Sequence, residues 1–171
     1  LLVALGLVAF AVVQILAAFT TDAPFVPVPK SLEKEIVENL ALKPDSVLYD
    51  LGCGDGRILI EAVKQNPTIK AVGVDVAFFP YFLAKFKTRK YENIKIKRED
   101  IFKTDLRGAT DIFAYLYPKA VNRLLTCVQK QCQPGAVLIS CDFELDPPAP
   151  SKVINLKNLD QKRAKKLFVY I

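Results

Sequence analysis

Apolar residues along this chain fall in short blocks whose period changes from one block to the next, and the changes mark the elements. Val47-Leu-Tyr49 runs into Asp50 and a glycine-rich turn, the pattern of a strand buried on both faces that breaks sharply into a helix. From about Arg57 to Asn66 the residues Ile58, Leu59, Ala62 and Val63 recur at helical spacing, and Pro67 stops the run. Ala71-Val-Gly-Val-Asp75 reads as a second buried strand, 79–91 as a helix and Ile94-Lys-Ile-Lys97 as an alternating third strand. Residues 111–118 give a fourth strand with its exit loop and 119–131 a helix. After the Gln133-Pro-Gly135 turn, Ala136 to Asp142 reads as a fifth strand. The tail from Lys152 to Ile171 has room for two strands but hardly for a helix between them, so it predicts a hairpin turning near 158–161. The whole is an α/β fold: one doubly wound sheet completed by a C-terminal β-hairpin.

Upstream the pattern differs. Pro24, Pro27 and Pro29 enforce a stiff, extended segment, whose Phe25, Val26 and Val28 suggest packing on the domain. Ser31 is placed to cap a helix with Leu32, Ile36, Val37 and Leu40 on one face. Leu1 to Phe19 are uncharged and broken only by Gly6 and Gln14. As a helix they would span about 28 Å, close to a bilayer core of about 30 Å. The chain therefore divides into a transmembrane anchor (1–21), a connecting segment with its helix (22–46) and the α/β domain (47–171).

Composition removes several chemistries. The 171 residues contain no histidine, the commonest general base and metal ligand. The four cysteines, Cys53, Cys127, Cys132 and Cys141, lack metal-binding spacing, so no metal is expected. Unpaired thiols place the domain in the cytosol or an equivalent reducing compartment. The net charge of +6 gathers in clusters at 85–98 and 152–166, which read as solvated faces or as contacts to anionic lipid.

The run Asp50-Leu-Gly52-Cys53-Gly54-Asp55-Gly56-Arg57 carries the chemistry. A dinucleotide fingerprint needs G-x-G-x-x-G, and its third glycine would fall on Arg57. Asp50 would also repel a pyrophosphate, whereas a positively charged ligand suits it. Ligands of such sheets lie outside the carboxyl ends of the strands, where Asp75 can accept bonds from ribose hydroxyls. Asp100 follows the third strand, either as a turn cap or facing the ligand.

Asp-x-Gly-x-Gly-x-Gly resembles the first motif of class I S-adenosylmethionine-dependent methyltransferases. That resemblance implies a Rossmann-like methyltransferase sheet and S-adenosyl-L-methionine as cofactor. It implies Asp100 beside the adenine amine, with Val76, Ile101 and Tyr115 among the cofactor contacts. The exit loop Tyr115-Leu116-Tyr117-Pro118 departs from the Asn/Asp-Pro-Pro-aromatic of adenine-amine methyltransferases, which disfavours a nucleic-acid substrate.

The apolar anchor, the Pro-Phe-Val-Pro segment and Asp-Leu-Gly-x-Gly-Asp-Gly-Arg together resemble a narrower group. These are the membrane-anchored protein lysine methyltransferases of the ATP synthase c-subunit and the adenine nucleotide translocase, with their prokaryotic relatives. The resemblance implies Nε methylation of an accessible lysine on a membrane protein. A lipid headgroup or quinone methyltransferase and a non-catalytic cofactor-binding scaffold remain the alternatives. The residues offer a substrate side of their own: Asp142, Glu144 and Asp146 alternate beyond the fifth strand and could attract an ammonium or take its proton. Tyr115, Tyr117 and Phe25 could pack around the transferring methyl. Asp142, Tyr117 and Phe25 are thus the catalytic candidates.

Overall fold

The computed structural model describes residues 27–145, 147–157 and 163–171. The anchor, Phe25, Asp146 and the hairpin turn lie outside the described residues, and among those described no helix is long and apolar enough to cross a membrane.

The elements are a 3-10 turn (Lys30–Leu32), α1 (Glu33–Leu40), β1 (Val47–Leu51), α2 (Arg57–Gln65), β2 (Lys70–Val74), α3 (Phe78–Thr88), β3 (Ile94–Lys97), a second 3-10 turn (Ile101–Lys103), β4 (Asp111–Ala114), α4 (Pro118–Gln131), β5 (Val137–Cys141), β6 (Lys152–Asn155) and β7 (Lys166–Tyr170). They form one seven-stranded sheet in the order β3-β2-β1-β4-β5-β7-β6. The first five strands are parallel, β7 runs antiparallel to β5, and β6 returns antiparallel along the outer edge of β7. The order reverses between β1 and β4, so the loops leaving those strands diverge and open a crevice.

Each face of the sheet carries its own core. Ile36 and Leu40 of α1, Leu59 and Val63 of α2 and Ala84 of α3 bury against one face. Val121, Leu124 and Val128 of α4 cover the other, together with Leu51 and Ile112 from the strands. Gly73 sits at the tightest point of β2, where a Cβ would meet Leu59 at 2.6 Å, Cys53 Sγ at 2.8 Å and Ile96 at 2.9 Å.

Two local expectations change. Ser31 does not cap α1: the chain first makes the 3-10 turn, closed by Leu32 N donating to Pro29 O at 3.0 Å, and Leu32 takes the cap position without a side-chain bond. α3 stops at Thr88, where Tyr91 N turns back onto Thr88 O at 2.9 Å and draws the chain toward β3.

Candidate active site

A cavity of about 300 Å³ opens at the carboxyl ends of β1, β2 and β4. Its floor is the turn between β1 and α2. Gly52, Gly54 and Gly56 all have positive φ, at 81°, 57° and 76°, a conformation an L side chain adopts only under strain. Gly52 N and Cys53 N donate to Val74 O at 2.8 and 3.0 Å, tying the turn to the end of β2. A Cβ on Gly52 would lie 2.8 Å from Leu116 Cδ2, so only a bare backbone lets the β1 and β4 loops close on each other.

Asp75, one residue past β2, braces the turn. Its Oδ2 accepts from Gly54 N at 3.0 Å and its Oδ1 from Ala77 N at 2.9 Å. Burial raises its pKa, and those two backbone bonds hold the rise back. Asp50 differs. It is 3% exposed, it lines the cavity, and among the described residues no hydrogen bond reaches its carboxylate. Burial, with the nearby Asp75 and Asp55 charges adding to it, pushes its pKa up to about 8. Asp100 both caps the second 3-10 turn, accepting from Phe102 N at 2.9 Å, and lines the cavity, so its two readings hold together.

Asp55 and Arg57 line the same cavity but face a different task. Arg57 Nε and Nη2 fork onto Asp55 Oδ1 and Oδ2 at 2.8 and 2.7 Å, and Lys87 Nζ of α3 reaches Oδ2 at 2.6 Å. Burial alone would raise the Asp55 pKa, but the Arg57 and Lys87 bonds outweigh it and bring the pKa down to about 2. Arg57 Nη1 donates onward to Val28 O at 2.6 Å and lies 3.5 Å from Glu33 Oε1. One guanidinium thus fastens the proline segment, the start of α1 and the glycine turn together. Pro27 and Val28 consequently form part of the cavity wall.

The structure brings Asp50, Gly52, Cys53, Gly54, Asp55, Arg57, Asp75, Val76, Asp100, Ile101 and Tyr115 around one space. Gly56 stands just outside this lining. It takes the N-cap of α2, where a Cβ would stand 3.2 Å from Thr88 Cγ2, so it serves the packing of α2 on α3 and not the cavity wall. Tyr117 is 42% exposed, lies outside the lining, and packs on Phe143 with ring centroids 5.8 Å apart. The Asp142 carboxylate is engaged with backbone and a tyrosine. Oδ1 accepts from Lys165 N and Lys166 N at 2.5 and 3.2 Å, and Oδ2 from Ala164 N at 2.5 Å and Tyr115 Oη at 3.2 Å. Asp142 stands outside the cavity lining at φ 63° and fastens the start of β7, holding Tyr115 in place as it does so. Phe25 lies outside the described residues.

Sequence reading missed Phe102, Leu116 and Arg123. Arg123 lies over the Phe102 ring at 3.9 Å, and both line the cavity. The signal was present in α4, where Ala120 and Arg123 share a face with the buried Leu124.

Four carboxylates and two guanidiniums line this space, and one guanidinium is consumed by Asp55. That balance rejects a pyrophosphate and suits a ligand with an ammonium and a sulfonium. A parallel sheet with an acid at the end of β1, a glycine turn without side chains and an acid after β2 define a class I S-adenosylmethionine-dependent methyltransferase.

Comparison with known proteins gives the same class. Residues 50–152 match the ANTKMT methyltransferase domain, and the chain belongs to that family. It is similar to the "Protein-lysine N-methyltransferase" of Saccharolobus islandicus (strain REY15A), 29% identical over 155 residues, covering 89% of this chain and 96% of that protein. The human lysine N-methyltransferase of the ATP synthase c-subunit is 25% identical over 152 residues, and the match spans 84% of this chain and 64% of that protein. Among solved structures, an RNA methyltransferase from Salinibacter ruber in complex with S-adenosyl-L-homocysteine superposes with a TM-score of 0.76 at 26% identity, over 85% of this chain and 92% of that one. The protein is a methyltransferase, and S-adenosylmethionine is its cofactor.

Proposed function

We propose that the protein transfers a methyl group to the Nε atom of a lysine on a membrane protein, with the α/β domain on the cytosolic or an equivalent reducing side. The observation that carries this reading is the acid-rich cavity in a chain whose similarity runs almost the full length of a protein-lysine methyltransferase. The apolar run 1–19, read as an anchor, supports the membrane part.

The bound cofactor supplies a methyl group on a sulfonium, ready for displacement by a neutral amine. The residues then have separable tasks. Asp50 would hold the cofactor's ammonium, Asp75 its ribose and Asp100 its adenine amine, with Val76 and Ile101 supplying apolar contacts to the adenine. Tyr115, fixed through Asp142, presents a ring where a cationic side chain would enter. With no histidine in the chain and Asp142 engaged, transfer depends on orientation and exclusion of water. The lysine proton leaves to solvent before attack. Pro27 and Val28 form one wall, and we place Phe25 beside them as a contact to cofactor or substrate.

An RNA substrate is the second reading, favoured by the Salinibacter ruber likeness and the +6 charge. It is opposed by the Tyr115 to Pro118 exit loop. Native membranes incubated with the protein and radiolabelled S-adenosylmethionine separate the cases. Label on a protein band, located at lysine by mass spectrometry, supports the proposal. Label in RNA or in extracted lipid, or in no fraction, refutes it.

A further inference from the structure

α3 buries one face and leaves the other unusually apolar. Phe78, Phe79, Phe82 and Phe86 are 43%, 57%, 51% and 62% exposed, on a helix whose buried residues are Pro80, Ala84 and Thr88. At 100° per residue the four rings fall within a sector of about 100°, opposite the buried side. Lys85 and Lys90 flank that sector, and both are exposed. Arg89 lies over the Phe86 ring at 4.0 Å and Arg98 over Phe78 at 5.3 Å. From Ala77 to Tyr91 there is no acidic residue. Scattered exposed apolar residues need no explanation, but four phenylalanines on one stripe do.

From this surface we infer that α3 is an interfacial helix that lies on an anionic lipid bilayer, its phenylalanines among the upper acyl chains and its lysines and arginines at the headgroups. Aromatic rings beneath a basic border are the arrangement that partitions into such an interface. Each Lys or Arg adds attraction to anionic lipid, and no carboxylate from Ala77 to Tyr91 opposes it. A protein groove would match the rings equally well, but it would not call for uniformly basic flanks. Connectivity places the helix within reach. Seven residues lie between Phe19, the end of the apolar run, and Pro27, at most about 28 Å of chain from one to the other. Pro27 lines the same cavity as Val76 and Ala77, the residues that lead into α3. A docked α3 therefore holds the rim of the cavity at the membrane surface. The tether in this inference rests on the anchor reading; the docking face does not, and neither depends on which molecule is methylated.

The chain contains no tryptophan, so a single Phe82→Trp reports the environment of this face alone. The full chain carrying that change is reconstituted with phosphatidylcholine vesicles, with or without phosphatidylglycerol, and with plain or brominated acyl chains. We expect a blue shift and a several-fold loss of emission with brominated lipid, stronger when phosphatidylglycerol is present. Val153→Trp, exposed on the edge strand β6, should lose no emission. Lys85→Glu, Arg89→Glu and Lys90→Glu together, in the Phe82→Trp chain, should remove the dependence on phosphatidylglycerol. Flotation of the vesicles reports the anchor separately. Emission at position 82 that ignores bromination overturns the inference whether or not the protein floats. If that emission is nonetheless blue-shifted, residues 1–19 or a second copy of the chain cover the face. Equal quenching at positions 82 and 153 also overturns it, because the domain would then embed without a preferred face.

Discussion

Asp50→Asn should make the cofactor-free protein more stable and a poorer binder at once. Folding raises the Asp50 pKa from its ordinary 3.8 to about 8. The unfolded chain therefore releases this proton through pH 3.8, while the folded chain keeps it until about pH 8. A carboxyl shifted upward stabilises the fold only at low pH. Its contribution is lost progressively as pH rises from 3.8 to about 8. Between 3.8 and 7 the loss amounts to about 4 kcal/mol, at about 1.36 kcal/mol per pH unit. Water in the open cavity offsets part of this, so the asparagine chain should gain about 2–4 kcal/mol at pH 7, or roughly 5–15 °C in melting temperature. At pH 4 the two chains should melt nearly together. Binding moves the other way. Without the carboxylate the cofactor's ammonium loses a charge-assisted bond of about 1.5–3 kcal/mol, roughly a 10- to 150-fold weaker Kd for S-adenosylhomocysteine. In the native protein that ammonium must also expel the Asp50 proton. Calorimetry in two buffers of different ionisation heat should show proton release below pH 8, absent in the variant. An asparagine chain with native affinity, or with no stability gain at pH 8 over pH 4, would refute the assignment.

Further outcomes follow from the same contacts. Arg57→Ala leaves buried Asp55 with Lys87 alone and frees Val28, so melting should report a loss of about 3 kcal/mol and limited proteolysis should cut near residue 28. Gly52→Ala should lower stability by about 1–2 kcal/mol and weaken S-adenosylhomocysteine binding in titration calorimetry, because φ 81° and Leu116 both oppose a Cβ. Asp142→Asn should leave the shape of the pH–rate profile unchanged while lowering stability, since its oxygens hold β7; a profile that lost its acidic limb would restore Asp142 as the base. Removing residues 1–21 should preserve methylation of a detergent-solubilised substrate, and removing 1–30, which takes buried Val28 and its bond to Arg57, should abolish it while lowering the melting temperature of a still cooperative fold.

The strands and α2 were legible because burial on both faces of a parallel sheet leaves near-continuous apolar runs, as at β1, and because a helical period is unambiguous where it exceeds two turns. The cavity floor was legible for a related reason: alternating glycines next to an acid have few structural uses. Sequence could not tell which acids stay available. Asp50 and Asp142 both follow apolar runs at the ends of strands, yet one faces the cavity and the other fills its lone pairs from β7 backbone, 22 to 24 residues away in the chain. That choice depends on where the hairpin returns, which no local pattern encodes. Ser31 failed for a local reason, since the chain after Pro29 makes a 3-10 turn that shifts the helix start by one residue. Tyr117 lies outside the cavity lining because an exit loop alternates sides, and Tyr115 takes the inward one.

The strand order β5-β7-β6 imposes a schedule on synthesis. β7 follows β6 in the chain but lies between it and β5, so β6 takes its place in the sheet only once its partner residues Lys166 to Val169 have been made. During translation the nascent protein carries an open hydrogen-bonding edge along Leu138 to Cys141, with the cofactor cavity otherwise nearly assembled. An edge of that kind invites pairing with other chains. It also leaves Tyr115 without the anchor that Asp142 gains only when Ala164, Lys165 and Lys166 arrive. Cofactor capture during synthesis would therefore stabilise a partly built sheet, whereas the Tyr115 hydroxyl gains its Asp142 partner in final position only when β7 has paired.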